Sequence, residues 1–168
     1  MAVEIDPDRL EEAFETYSAI GATDDGGLDR LALTDTDGRV RDAFREDLTA
    51  LDLDVRIDRI GNVFGRREGT DPGAAPVLIG SHLDSQPRGG RYDGQLGVLC
   101  ALETLRAFEE AGIETDRPVE IVDWTNEEGS RFEHAMLGSA VWAGFTDLEE
   151  ALELTDGEGR SVREELER

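Results

Sequence analysis

Two short apolar runs, Pro76–Gly80 (PVLIG) and Val119–Trp124 (VEIVDW), flank a segment whose apolar residues recur at helical spacing. Across that segment, about Gly94 to Ala111, Leu96, Leu99, Leu102, Leu105 and Phe108 fall on an inward stripe, and Gly112 stands where the helix stops. Strand, helix and strand at this spacing predict a βαβ unit with parallel strands and a right-handed crossover. The first run, apolar throughout, reads as a strand buried on both faces. The unit also fixes where a ligand goes, because open α/β sheets bind ligands beyond the carboxyl ends of their strands.

The rest of the chain arranges itself around this unit. Asp6–Ile20 reads as a helix, with Asp6 as cap, Pro7 in the first turn and Leu10, Phe14 and Tyr17 at helical spacing. A second helix is predicted from about Thr36 to Leu51, with Val40, Phe44, Leu48 and Leu51 on one stripe. The D-x-D-G at Asp35–Gly38 lacks the remaining ligands of a calcium loop and reads as a helix cap. Asp52–Ile60 alternates, placing Leu53, Val55 and Ile57 inward on a half-exposed strand. Gly61-Asn62 then forms a hairpin turn into a partner strand, Val63–Arg67. Weaker helices follow near Gly138–Ala143, Asp147–Leu154 and Ser161–Arg168.

Composition excludes whole classes of partner. The 168 residues carry 40 acidic and 17 basic side chains, a net charge of −23, and every basic residue is Arg. Such a surface repels a phosphate backbone and an anionic membrane, so neither nucleic acid nor membrane is a partner. The excess of spread carboxylates points to a halophilic source, where molar salt screens their repulsion. The length predicts one domain or part of one. A lone cysteine, Cys100, excludes an intrachain disulfide and reads as a small buried apolar residue between Leu99 and Ala101. The charged N-terminus shows no secretory signal and no run of about 18 apolar residues exists, so the expected location is the cytoplasm.

The chemistry collects where the two strands end. Ser81-His82-Leu83-Asp84 follows the first, Asp93 opens the long helix, and Glu127-Glu128 lies just past Trp124. Imidazole and carboxylates suit a divalent cation such as Zn²⁺ or Mn²⁺. A bridging carboxylate, adjacent glutamates dividing into ligand and base, and an Asp able to orient the imidazole are what a two-ion hydrolytic site needs. Glu-Glu pairs recur in this acidic chain, at Glu11-Glu12 and Glu164-Glu165 for example. Glu127-Glu128 differs in following an apolar strand and preceding Gly129.

The stretch GSHLDSQPRGGRYDGQLGVLCALETLR (Gly80–Arg106), with DWTNEEGSRF (Asp123–Phe132), resembles the M20-type metallohydrolases. More narrowly it resembles their hydantoinase/carbamoylase branch: N-carbamoyl-L-amino acid hydrolases, allantoate amidohydrolases and β-ureidopropionases. The flanking RLALTDTD, DRIGNVFGR and MLGSAVWAG fit the same pattern. The resemblance implies a three-layer α/β/α, zinc-peptidase-like catalytic domain, here partial: a βαβ core with an N-terminal hairpin and helices. It implies His82 and Glu128 as ligands of one metal each, Asp93 as the bridge, Glu127 as general base and Asp84 orienting His82. Two divalent ions, Zn or Mn with Co or Ni as alternatives, would serve hydrolysis of a carbamoyl or ureido C–N bond. It further implies a cis peptide at Asp93–Gly94.

Family members are more than twice as long and form homodimers. Residues 1–168 thus correspond to the N-terminal part of the catalytic domain, without the lid and dimerisation domain or the later histidine ligands. The chain alone is therefore expected to be inactive. The remaining histidine, His134, reads as a loop residue. The alternatives are an M20 peptidase or deacylase, and a non-catalytic remnant acting only in binding.

Overall fold

The computed structural model describes residues 3–168. Helices α1 (Pro7–Ala19) and α2 (Asp35–Ala50) precede strands β1 (Asp54–Ile57), β2 (Val63–Arg67) and β3 (Val77–Ser81). Helix α3 (Gln95–Glu110) leads to strand β4 (Val119–Asp123), and three short helices close the chain: α4 (Leu137–Trp142), α5 (Leu148–Leu152) and α6 (Val162–Leu166).

The four strands form one mixed sheet in the order β1-β2-β4-β3. β3 and β4 pair in parallel, with Val77 opposite Val119 and Ser81 opposite Asp123. This is the expected βαβ unit, and α3 packs on both of its strands. The hairpin joins it through antiparallel pairing of β2 with β4, Val63 facing Asp123. The strand ends of the parallel pair therefore coincide at residues 81 and 123.

One face of the sheet carries the main core. Phe44 and Leu48 of α2, Val98, Leu99 and Leu102 of α3, and Val63 and Ile121 of the sheet are almost wholly removed from water, with Phe14 and Tyr17 of α1 packed on them. Leu48 contacts Gly65 so closely that a Cβ there would lie 2.5 Å from its Cδ2. The opposite face holds a stack of aromatic rings. Trp124 meets Phe64 edge-on at 5.8 Å between centroids and Trp142 of α4 at 5.6 Å. The fold is α/β as the sequence implies, and this stack stands where the expected third layer lies.

Several local readings are corrected. β3 is an edge strand among the described residues, so Val77 is exposed rather than buried on both faces. Ile57 is exposed as well, because β1 forms the other edge. Leu96 and Cys100 point outward from α3, since Val98, Leu99 and Leu102 define its buried stripe. The hairpin turn spans residues 58–62 rather than two residues. Asp58 accepts the N–H groups of Ile60 and Asn62, and Gly61 supplies φ +88°.

The cap of α2 is Thr34, not the D-x-D-G segment. Asp37 is instead buried, accepting the Leu33 N–H at 2.9 Å and lying 3.7 Å from the Arg41 guanidinium. Burial pushes its carboxyl up to about 6, against the pull of Arg41. The folded state thus holds this proton more tightly than the unfolded chain. The group's contribution to stability is complete below pH ~4 and lost as pH rises through about 6. Asp37→Asn keeps the acceptor for Leu33 and removes this loss. Relative to the parent, the variant should gain on the order of 2–3 kcal/mol between pH 4 and 7. Urea unfolding across that range measures the difference, and parallel pH profiles for the two proteins would refute it.

Candidate active site

β3 ends at Ser81, whose carbonyl accepts the Trp124 N–H at 2.9 Å, so the chains beyond β3 and β4 leave the sheet side by side. His82, Leu83, Asp84 and Ser85 are all buried. The His82 Nδ1 lies 3.0 Å from the Asp84 main-chain oxygen. Nδ1 is therefore the protonated nitrogen in the neutral ring, and the Nε2 lone pair is free. Asp84 does contact the imidazole, but by its carbonyl; its carboxylate is 3.5 Å away.

That carboxylate has another task. Asp84 Oδ1 accepts the Glu127 N–H at 3.1 Å and Oδ2 the Glu128 N–H at 3.2 Å. One side chain from the β3 end thus holds the backbone of both glutamates from the β4 end. The turn beyond them is fixed by Gly129, with φ +66° and a Cβ position 2.6 Å from the Ala135 nitrogen.

The side chains converge. One ligand atom each from His82, Asp93 and Glu128 lies within 4.8 Å of the others. His82 Nε2 is 3.7 Å from Asp93 Oδ1 and 3.4 Å from Glu127 Oε2. Asp93 is aimed by a γ-turn centred on Gly94: φ +63°, ψ −57°, with the Gln95 N–H donating to the Asp93 carbonyl at 2.6 Å. The Asp93–Gly94 peptide is trans, so this turn does what the expected cis bond was to do. His134 stays apart, with Nδ1 against the Ala135 carbonyl and Nε2 against the Thr146 hydroxyl.

Electrostatics favours a cation here. Most arginines of the chain sit against carboxylates, yet among the described residues none lies within 4.0 Å of Asp93, Glu127 or Glu128. Burial, helped by Asp84, Glu128 and Asp93 and opposed by His82, holds the Glu127 carboxyl above its ordinary range. Burial works against a charged His82, but Asp84 and Glu127 outweigh it and raise the imidazole to about 9. Without a cation, Nε2 therefore carries a proton toward Glu127 and Asp93. An N/O donor set with surplus negative charge, in which a divalent cation would displace that proton, fits such an ion.

Two residues escaped the sequence reading. Gln86 donates from Nε2 to Glu128 Oε2 at 2.8 Å. Asn62, wholly buried, accepts the Thr125 N–H at 2.9 Å and donates to the Gly138 carbonyl at 3.0 Å, tying the hairpin to the glutamate loop. Two open clefts of about 710 and 670 Å³ lie beside α2 and β1 and contain none of the site residues.

The model of peptidase family M28 matches residues 62–155, more than half of the chain and all of the candidate site. The chain belongs to this family. Within the M28 match, the narrower resemblance is carried by its relatives. An N-carbamoyl-L-amino-acid amidohydrolase from Rhizobium meliloti is 46% identical over 98% of this chain and 39% of its own length. A ureidoglycolate hydrolase from Arabidopsis thaliana is 34% identical over 96% of the chain and 34% of its own length. The crystal structure of a hydantoinase/carbamoylase family amidase from Burkholderia ambifaria superposes with a TM-score of 0.97, at 53% identity over 98% of this chain and 40% of that one. This M28 chain thus spans about two fifths of the length of the relatives it matches.

Proposed function

We propose that these residues form part of the active site of a divalent-metal amidohydrolase that cleaves the carbamoyl or ureido C–N bond of N-carbamoyl amino acids or related ureido acids. The observation that carries the reading is the meeting of His82, Asp93 and Glu128 within 4.8 Å, with Glu127 beside them. The names of the relatives supply the substrate class. His82 and Glu128 would each hold one ion and Asp93 both, with Zn²⁺ or Mn²⁺ preferred and Co²⁺ or Ni²⁺ accepted by the same donors. When bound, the ions polarise the substrate carbonyl and acidify water.

The protein's own share is proton handling and position. Glu127, its carboxyl held above the ordinary carboxylate range by burial, takes a proton from the attacking water and delivers it to the leaving nitrogen. Asp84 keeps both glutamates in place. Two ions need about three protein ligands each, more than this cluster offers. We place the remaining ligands, the lid that binds the substrate carboxylate, and the homodimer contact in sequence outside these residues. The partner is a small ureido or carbamoyl acid.

The decisive assay offers N-carbamoyl amino acids, allantoate and dipeptides to a chain extended to the relatives' length, with bound metal measured. Turnover of the ureido acids over dipeptides is expected. Preference for dipeptides supports the second reading, a peptidase, which the family description favours. The 168 residues alone should bind metal weakly and show no turnover. We also propose a halophilic protein, since 40 acidic side chains face only 17 arginines. Its thermal midpoint should rise steadily in KCl up to molar concentrations, and a flat response would refute this. Among the described residues no helix is long and apolar enough to cross a membrane.

A further inference from the structure

Asp123 is the last residue of β4 and 1% exposed, a carboxylate buried beneath the candidate site rather than within it. Its two oxygens are both used. Oδ1 accepts the Leu83 N–H at 2.8 Å, and Oδ2 lies 3.2 Å from Nε of the buried Arg41. Leu83 stands between His82 and Asp84, two residues past the end of β3, where the ladder no longer holds the backbone. Asp123 thus continues the sheet's grip on β3 by one side-chain bond.

Arg41 is itself fixed on three sides. Besides Asp123, its guanidinium donates to the Gly61 carbonyl and to Thr125 Oγ1, the latter at 3.3 Å. Thr125 lies two residues before Glu127. One cation from α2 therefore clamps the hairpin turn, the end of β4 and the start of the glutamate loop. From there the connection runs Arg41, Asp123, Leu83 N–H, the His82–Asp84 turn, and through Asp84 to the amides of Glu127 and Glu128.

We propose that Asp123, oriented by Arg41, is a positioning residue of the candidate metal site, setting the His82–Asp84 turn through the Leu83 amide and the glutamate backbone through Asp84. The proposal rests on the metal-site reading above for its purpose, but its geometry is independent of it. A carboxylate is required because both oxygens must accept. An amide at this place accepts from Leu83 or from Arg41, and turns a donor toward the other. Partners one step behind metal ligands typically change metal affinity about 10–100-fold when replaced.

The test uses the 168-residue chain with Co²⁺ as the metal probe, read by its visible absorption, together with amide hydrogen exchange. Asp123→Asn should weaken Co²⁺ binding at least about tenfold. It should also speed exchange at Leu83, Glu127 and Glu128 relative to Ile121 in the middle of β4. Leu105→Ala, a cavity under α3 away from the site, controls for lost stability: it should lower the thermal midpoint and leave Co²⁺ affinity and the three loop amides in place. If Asp123→Asn behaves like that control, Asp123 is merely structural and the proposal falls.

If the 168-residue parent binds Co²⁺ too weakly to titrate, the affinity comparison is made in the chain extended to the relatives' length. If that chain binds no Co²⁺ either, the metal-site reading fails, and the exchange rates alone decide on positioning. If Asp123→Asn does not fold, Arg41→Lys gives the same readout, since a lysine keeps the charge but not the three-way clamp. In the unaltered chain, a Leu83 amide exchanging as fast as a solvent-exposed loop amide overturns the proposal without any variant.

Discussion

Replacing Glu127 by Gln should lower turnover by about 10²–10⁴-fold in the extended enzyme while leaving its metal content unchanged. The substitution preserves shape, and the backbone N–H that Asp84 accepts is untouched. What disappears is the ability to take and return a proton. The loss should fall equally on kcat and kcat/KM, the signature of a group that acts in the transition state and not in binding. Glu128→Gln, in contrast, removes a donor atom from the cluster shared with His82 and Asp93 and should reduce bound metal. The difference between these adjacent residues is positional. The Glu127 carboxylate leans toward His82 Nε2 at 3.4 Å, and the Glu128 carboxylate is held by Gln86 at 2.8 Å. Parent-like turnover in Glu127→Gln, or loss of metal from it, would take the base role away from Glu127.

The strand–helix–strand core was legible because its signals are local: PVLIG and VEIVDW are apolar at strand length, and α3 keeps a helical stripe. The five candidate residues were legible for a related reason. Four lie just past strand ends and Asp93 just before α3, at the rim where topology gathers groups that are 46 positions apart in the case of His82 and Glu128. What could not be read depends on partners distant in sequence. Asp123 looked like one more strand residue, and only the fold sets Arg41 and Leu83 against it. Asn62 had the local chemistry of a turn residue, yet its side chain is buried against Thr125 and Gly138. The exposure of Ile57 and Val77 could not be deduced either, because which strands become edges is decided by how the hairpin docks on β4. Asp84 was assigned to His82 by their spacing and does lie against the ring, but spacing could not show that its carboxylate also holds backbone amides 43 and 44 residues away.

Gly94→Ala tests the most tightly fitted point of the site. Gly94 has φ +63°, where a Cβ is strained, and a Cβ built there would lie 2.5 Å from the Cε1, Nε2 and carbonyl oxygen of His82. Both penalties act at once. The backbone conformation costs a non-glycine residue roughly 1–3 kcal/mol. The steric conflict cannot be relieved cheaply, because His82 is buried and its Nδ1 is tied to the Asp84 carbonyl. The ring must move or the γ-turn must open, and either displaces Nε2 from the Asp93 carboxylate. A total near 3 kcal/mol would lower the thermal midpoint by roughly 6–12 °C in a chain of this size. Co²⁺ affinity should fall at least about tenfold, as expected when a ligand is displaced from its donor set. Gly38 gives the internal comparison. It lies within α2, its φ is ordinary, and nothing stands within 4 Å of the position a Cβ would take. Gly38→Ala should therefore stabilise the chain by about 0.5–1 kcal/mol and leave the metal site alone. Calorimetry and Co²⁺ titration of the two variants side by side separate a glycine required by the site from one that is not. Matching midpoints and affinities would mean that His82 is free to yield, and with it that the site is less rigidly built than its contacts require.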